Sequence, residues 1–290
     1  MFDLVIKNGR VINGSGNPWF RADVAVKDGR IVKIGKPVDA EAKRTIDAEG
    51  LVVAPGFSDM HNHSDISVMI NPQAESYIRQ GATLLVFPNC GGGYAPLNDT
   101  MKEEMNIENP AFLEAGLDFD WSTFEEYLQT IEKRGTAVNV APFIAFGTVR
   151  RYVMGWEMRA PTAGELEEMK AEVEKAMKAG AFGLTTGLRY VPQSWAETDE
   201  VIELSKVAAR YGGIYISHIR DEGDRDDPVG AIKEIIEIGE KAGLPVDVSH
   251  FKILAKPHWG DCDEILGLID EARARGVDVT ADQYPYPCSG

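Results

Sequence analysis

Cysteine is scarce in this sequence: Cys90, Cys262 and Cys288 are its only three in 290 residues. So small and odd a number excludes a disulfide framework, and predicts a reducing, cytoplasmic setting in which a thiol is free to bind metal. Positive charge is in deficit as well. Against 46 acidic residues stand 30 basic ones, a net charge of −16. Nucleic-acid partners need a positive footprint over phosphates, and anionic membrane surfaces ask for the same, so both partner classes are excluded. No apolar run approaches the roughly 18 residues of a membrane span, and the opening MFDLVIKNGRVING lacks the apolar centre of a signal peptide. Histidine is rare too, at five, which makes the position of each one informative.

What remains is an ordinary globular composition, 44% hydrophobic and 26% charged. It is long enough for one large α/β domain with a small satellite. Residues 1–50 predict a small all-β domain: β-rich runs at 3–7, 23–27 and 30–34 are separated by the turn pairs Asn8-Gly9 and Asp28-Gly29. From residue 51 to 290 the pattern becomes strands alternating with amphipathic helices, the signature of βαβ units and a parallel sheet. Strands are predicted at 51–59, 82–88, 137–146, 181–186, 213–217, 245–249 and 277–281, with helices at 162–179, 196–211, 228–242 and 262–275. The Gly- and Asn-rich stretch 91–121 reads as a long active-site loop. Thr186, His218, His250 and Asp282 stand 32 residues apart at strand ends, about the length of one βαβ repeat, which predicts one shared register position. A TIM-like (β/α)8 barrel needs eight strands. Seven are read here, and the eighth is expected beyond Gly290.

The chemistry concentrates at the strand ends, which form the active-site face of such a barrel. His61 and His63 lie two apart after the first strand and point the same way; His218 and His250 end the fifth and sixth. Taken singly, each is a hydrogen-bonding strand-end residue. Together, four converging imidazoles predict a metal site. Cys90 ends the second strand beside the first, where a thiolate suits zinc; Cys262 and Cys288 read as small buried hydrophobes. Lys252 follows His250 by two and faces the same side. Arg220 follows His218 by two, and either lines the site or pairs with Asp221 or Glu222. His258 reads as structural or pocket-lining.

The run Pro55-Gly56-Phe57-Ser58-Asp59-Met60-His61-Asn62-His63 resembles the opening signature of the amidohydrolase superfamily. Many members carry a carboxylated lysine on the fourth strand, and residues 181–187 hold none. Cys90 in its place resembles the D-aminoacylase (N-acyl-D-amino-acid deacylase) branch. So do Gly187-Leu188-Arg189-Tyr190-Val191-Pro192, Ser217-His218-Ile219-Arg220-Asp221-Glu222, Ser249-His250-Phe251-Lys252 and Tyr284-Pro285-Tyr286. The resemblance covers essentially the whole chain and implies a barrel preceded by a small β-sandwich domain. It implies a zinc-dependent hydrolase of N-acyl-D-amino acids, small molecules cleaved to a carboxylate and a D-amino acid. Cys90, His218 and His250 would hold the tight zinc, and His61 and His63 a second, weaker or optional one. Tyr190 would polarise the amide carbonyl; Lys252, Tyr284 and Ser289 would seat the substrate carboxylate. Phe251 departs from the branch, which often has a second histidine there, and the branch's catalytic aspartate is expected on the eighth strand. Two rival readings remain: a cyclic-amide hydrolase resembling hydantoinases or dihydroorotases, and a non-catalytic scaffold of the same fold.

Overall fold

The computed structural model describes residues 1–35 and 41–288. The chain divides into two units, Met1–Phe57 and Ser58–Gly290. The first holds β1 (Phe2–Val11), β2 (Phe20–Lys27), β3 (Arg30–Gly35), β4 (Ala42–Asp47) and β5 (Val52–Val53) in one sheet, ordered β3-β2-β1-β4 with β5 also on β1. Alternation along β1 and β2 makes two small cores, Val5 with Ala25 and Val11 with Ala22 and Val24. Asp28 and Gly29 both take positive φ, 51° and 72°, the backbone a two-residue hairpin needs. Asn8-Gly9 behaves differently from the expected turn. β1 runs straight through it, and the register with β2 shifts between Ile6 and Gly9. Asn8, at φ 64°, forms a bulge whose N–H donates to the Asp23 carboxylate at 2.9 Å.

The second unit is α/β. Its elements are β6 (Phe57–Asp59), α1 (Ser67–Ile70), α2 (Glu75–Ile78), β7 (Ala82–Phe87), α3 (Asp99–Glu108), α4 (Pro110–Glu114), α5 (Phe124–Arg134), β8 (Asn139–Pro142) and β9 (Ile144–Ala145). Then follow α6 (Phe146–Met154), α7 (Ala163–Ala179), β10 (Gly183–Gly187), α8 (Thr198–Ala209), β11 (Ile214–His218), α9 (Pro228–Ala242), β12 (Val246–Val248), α10 (Cys262–Ala274) and β13 (Val279–Ala281). The sheets run β6-β7-β8 and β13-β12-β11-β10-β9. Residues 139–145 link them, since β8 pairs in parallel with β7 and β9 in parallel with β10. Val86, Ala141, Phe143 and Ile216 pack the two sheets together.

Local signals set the helix ends. Thr162 and Glu165 form a reciprocal capping box at the start of α7, and Gly180 ends it in the left-handed region. α9 begins with Asp227 capping Gly230 N–H and Pro228 in the first turn, and ends at left-handed Gly243. The longer helices bury an apolar stripe, as α9 does with Ile232, Ile235, Ile236 and Ile238. Arg150 of α6 and Glu200 of α8 form a buried ion pair at 3.0 Å, and Arg150 also donates to the carbonyls of Glu157 and Arg159.

Two expectations need correcting. Residues 91–121 are a packed segment rather than a loop: α3 and α4 lie within it, and Tyr94, Phe119 and Trp121 build an aromatic cluster with Tyr127. Met101 and Met105, one turn apart, are buried in the same core. The 32-residue spacing also misreads the register. Thr186 pairs with Ser217, Ser217 with Val248 and Val248 with Ala281. Thr186 therefore shares a face with Ser217 and Tyr215, whose hydroxyls bond its own at 2.8 and 2.6 Å, opposite to His218. Equal spacing survives a changing stagger because the loops absorb the difference. Among the described residues no helix is long and apolar enough to cross a membrane.

Candidate metal centre

The strands of the second unit end around a cavity of about 980 Å³ lined by His61, His63, Cys90, His218, Glu222 and His250, among others. His61 follows β6, Cys90 follows β7, His218 ends β11 and His250 follows β12. Cys90 and His250 take φ of 55° and 37°. Non-glycine residues rarely sit there, and such conformations cluster where the surrounding structure holds a functional group in place.

The Cys90 turn is held by Gln193. Its amide oxygen accepts from Gly187 N–H at 2.6 Å and its amide nitrogen donates to the Cys90 carbonyl at 3.1 Å. A Cβ at Gly187 would collide with that carbonyl, one at Gly91 with the Gln193 amide, and one at Gly147 with the Gly91 carbonyl. The turn is therefore packed shut beneath the sulfur.

Cys90 Sγ lies 3.6 Å from His61 Nε2 and 3.7 Å from His250 Nε2. Two groups of donor atoms result, each within 4.8 Å: His61, Cys90 and His250, and His218, Glu222 and His250. His250 belongs to both. Glu222 accepts from Lys252 Nζ at 2.7 Å and lies 2.9 Å from His250 Nδ1. Both ring nitrogens of His218 are buried with no hydrogen-bond partner, the Glu222 carboxylate standing 3.7 Å from Nε2. Leaving a buried polar atom unpaired costs about 1–3 kcal/mol, and a cation accepting its lone pair removes that cost. The set of one thiol, three imidazoles and one carboxylate fits a zinc-type ion.

Electrostatics agree. Burial pushes the His218 pKa down to about 3, so the ring is neutral, as a ligand must be. Burial, joined by the charges of Glu222 and Asp282, pushes the Cys90 thiol up to about 12. Burial also works against an ionised Glu222, but its bonds to His250 and Lys252 prevail and hold it below the usual value. Metal binding should then displace the Cys90 proton at neutral pH and draw none from His218. Affinity is expected to rise about tenfold per pH unit on that account, and Cys90→Ala should flatten the slope by that one proton. Calorimetry in buffers of different ionisation enthalpy measures the proton count.

The remaining predicted residues distribute as follows. His63 stands edge-on to His61, ring centroids 5.6 Å apart, and burial lowers its pKa, but it joins neither donor group. Tyr190 lies edge-on to His218 at 4.8 Å with its ring half exposed on the cavity. Lys252 sits 5.6 Å from the Tyr284 ring centroid. Ser289 falls outside the described residues. Arg220 turns away to Glu234 at 2.8 Å rather than to Asp221 or Glu222, and His258 is held by Asp261 at 2.7 Å. Cys262 and Cys288 are exposed, not buried: Cys262 opens α10 on the surface and Cys288 lines the open cavity. Sequence reasoning passed over Glu222, although it lies in a quoted motif, because it sits beyond the strand where no alternation indicates direction.

A profile described as the amidohydrolase family matches residues 44–280. The chain belongs to the amidohydrolase family. Among amidohydrolase relatives, the D-aminoacylase of Alcaligenes xylosoxydans xylosoxydans is 39% identical over 286 residues, covering 98% of this chain and 57% of that protein. The N-acyl-D-glutamate deacylase of the same organism is 38% identical, covering 99% and 57%. The solved structure of N-acyl-D-glutamate deacylase from Bordetella bronchiseptica, complexed with zinc and a phosphonate inhibitor mimicking the tetrahedral intermediate, matches with a TM-score of 0.89 at 35% identity. It covers 99% of this chain and 59% of that one. This amidohydrolase chain thus spans under two thirds of the length of these relatives.

Proposed function

We propose that this chain carries the metal-binding part of a cytoplasmic, zinc-dependent hydrolase that cleaves the amide bond of N-acyl-D-amino acids. The observation that carries the reading is the buried, unpaired His218 ring beside Glu222 and His250, the residue it shares with the Cys90 group. The strands of residues 51–290 are read as a TIM-like barrel and residues 1–50 as part of a small β-sandwich domain. Cys90, His218 and His250, with Glu222 and His61, would hold zinc. When bound, zinc supplies a Lewis acid for the carbonyl and makes hydroxide available near neutral pH.

The chain's own groups do the rest. Burial, with the charges of Cys90 and Glu222, raises the Tyr190 pKa, so its phenol stays protonated and can donate to the carbonyl oxygen as charge grows there. Lys252 Nζ donates to Glu222 at 2.7 Å and to the His250 carbonyl at 3.4 Å and lies 3.0 Å from His250 Nδ1, so it would turn one of these donors to the substrate carboxylate above the Tyr284 ring, where Ser289 is assigned as a further donor. Hydrolysis puts the oxygen of water on the carbonyl carbon and its proton on the leaving amine. The absence of a lysine from β10, Gly183–Gly187, argues against the cyclic-amide reading.

The full-length, zinc-loaded protein to which this metal-binding part belongs is expected to hydrolyse N-acetyl-D-amino acids and to reject their carboxamides by about 10⁴-fold, since the partners of the carboxylate would be left unpaired. Tyr190→Phe should lower kcat about 10²–10³-fold with zinc content unchanged. Equal rates on L- and D-isomers, or preference for hydantoins, would overturn the proposal.

A further inference from the structure

We infer that Asp282 is the positioning residue of the cluster, one carboxylate that fixes the ring of His61 and the backbone of His250 together. The inference rests on the proposed metal-binding reading and deepens it. Asp282 follows β13. Its Oδ2 lies 3.3 Å from His61 Nδ1, and its Oδ1 accepts the His250 N–H at 2.6 Å. Its main chain grips the same segment: Asp282 N–H donates to Val248 O at 3.1 Å, and Asp282 O accepts from Phe251 N–H at 2.8 Å. Residues 248–251 are thus bonded at three points to a single neighbour, across the position where His250 takes its left-handed φ of 37°. That conformation persists only where surrounding bonds enforce it.

The consequence for His61 is chemical. An ionised carboxylate only accepts, so the nitrogen facing it must carry the proton. Nδ1 is then N–H, and Nε2, 3.6 Å from Cys90 Sγ, keeps the free lone pair. A carboxylate behind an imidazole is the usual device for fixing which nitrogen a metal meets. Both oxygens of Asp282 are spent on orientation, and it stands outside both donor groups.

The variant that tests this is Asp282→Asn, which keeps the shape but has one acceptor oxygen where the carboxylate has two. With that oxygen on the His250 amide, the NH2 faces His61 Nδ1 and the ring proton moves to Nε2. Histidine 15N NMR of the metal-free protein is expected to show His61 as the Nδ1–H tautomer in the native chain and as Nε2–H in Asp282→Asn. Zinc titration should show about a 10–100-fold loss of affinity in the variant, and the same substitution in a His61→Ala background should change affinity less than about twofold. An Nε2–H tautomer in the native chain overturns the inference, as does an undiminished effect in the His61→Ala background. The native-chain spectrum needs no variant, so it decides even if Asp282→Asn misfolds. Should the native protein bind no zinc, the metal reading falls while the tautomer still decides the role of Asp282.

Discussion

Replacing His250 with alanine is expected to abolish tight zinc binding altogether. Its ring is the one member common to both donor groups, Nε2 facing Cys90 and Nδ1 facing Glu222. His61→Ala removes a donor from one group and His218→Ala from the other, so each should spare part of the bound metal. The loss in His250→Ala should exceed the roughly 10–100-fold typical of residues that merely orient ligands. Elemental analysis after dialysis against a weak chelator reads the stoichiometry directly. The native protein should also gain about 4 kcal/mol of stability when zinc is held at a thousand times its Kd, and His250→Ala should gain none. Native zinc content in the variant would show that neither group is the binding site.

The second large effect lies away from the cavity. Arg150→Ala is expected to cost about 3–5 kcal/mol, because it strands the buried Glu200 carboxylate and frees two carbonyls from their donor. That is a large share of the ~5–15 kcal/mol by which folded proteins are stable. The pH dependence has a definite sign. Burial raises the Glu200 pKa, and Arg150 works against the rise. Without Arg150 the folded-state pKa climbs further above the unfolded value, so the folded state holds the extra proton over a wider range. The stability of the variant should therefore increase as pH falls from 7 toward 5, narrowing its deficit against the native chain. Urea midpoints at the two pH values test it, and an unchanged deficit would mean that packing rather than charge carries the cost.

The sequence made the α/β alternation legible because apolar runs and capping residues are local: Thr162 with Glu165, or Pro228 with Gly243, mark helix ends within a few positions. The metal-ligand candidates were legible for the same reason, each standing at the end of an apolar strand. What could not be read is whatever depends on pairing between distant segments. Thr186 looks equivalent to His218 by spacing, yet the stagger between β10 and β11 turns it to the opposite face. Glu222 and Asp282 lie past strand ends, where direction is set by turns and by partners about thirty or more residues away. Asn8-Gly9 carries a turn signal that pairing with β2 converts into a bulge. Arg220 lies past the end of β11, where strand parity no longer holds, and turns to Glu234 on α9, a neighbour visible only in three dimensions.

The packing around Gln193 has a consequence for heredity. Gly91, Gly147, Gly187 and Gln193 come from three separate stretches of chain, yet each occupies space that a larger neighbour would need. None of them can drift alone. A lineage altering one must pass through an intermediate in which the Cys90 turn is forced open, and selection for activity removes that intermediate. Leu254 and Tyr286, which line the same cavity and are partly or largely exposed, carry no such constraint. Variation in what the pocket accepts therefore has open paths at the rim and closed ones beneath the sulfur, and a mutant library aimed at new substrates gains most from randomising the former while leaving those four positions alone.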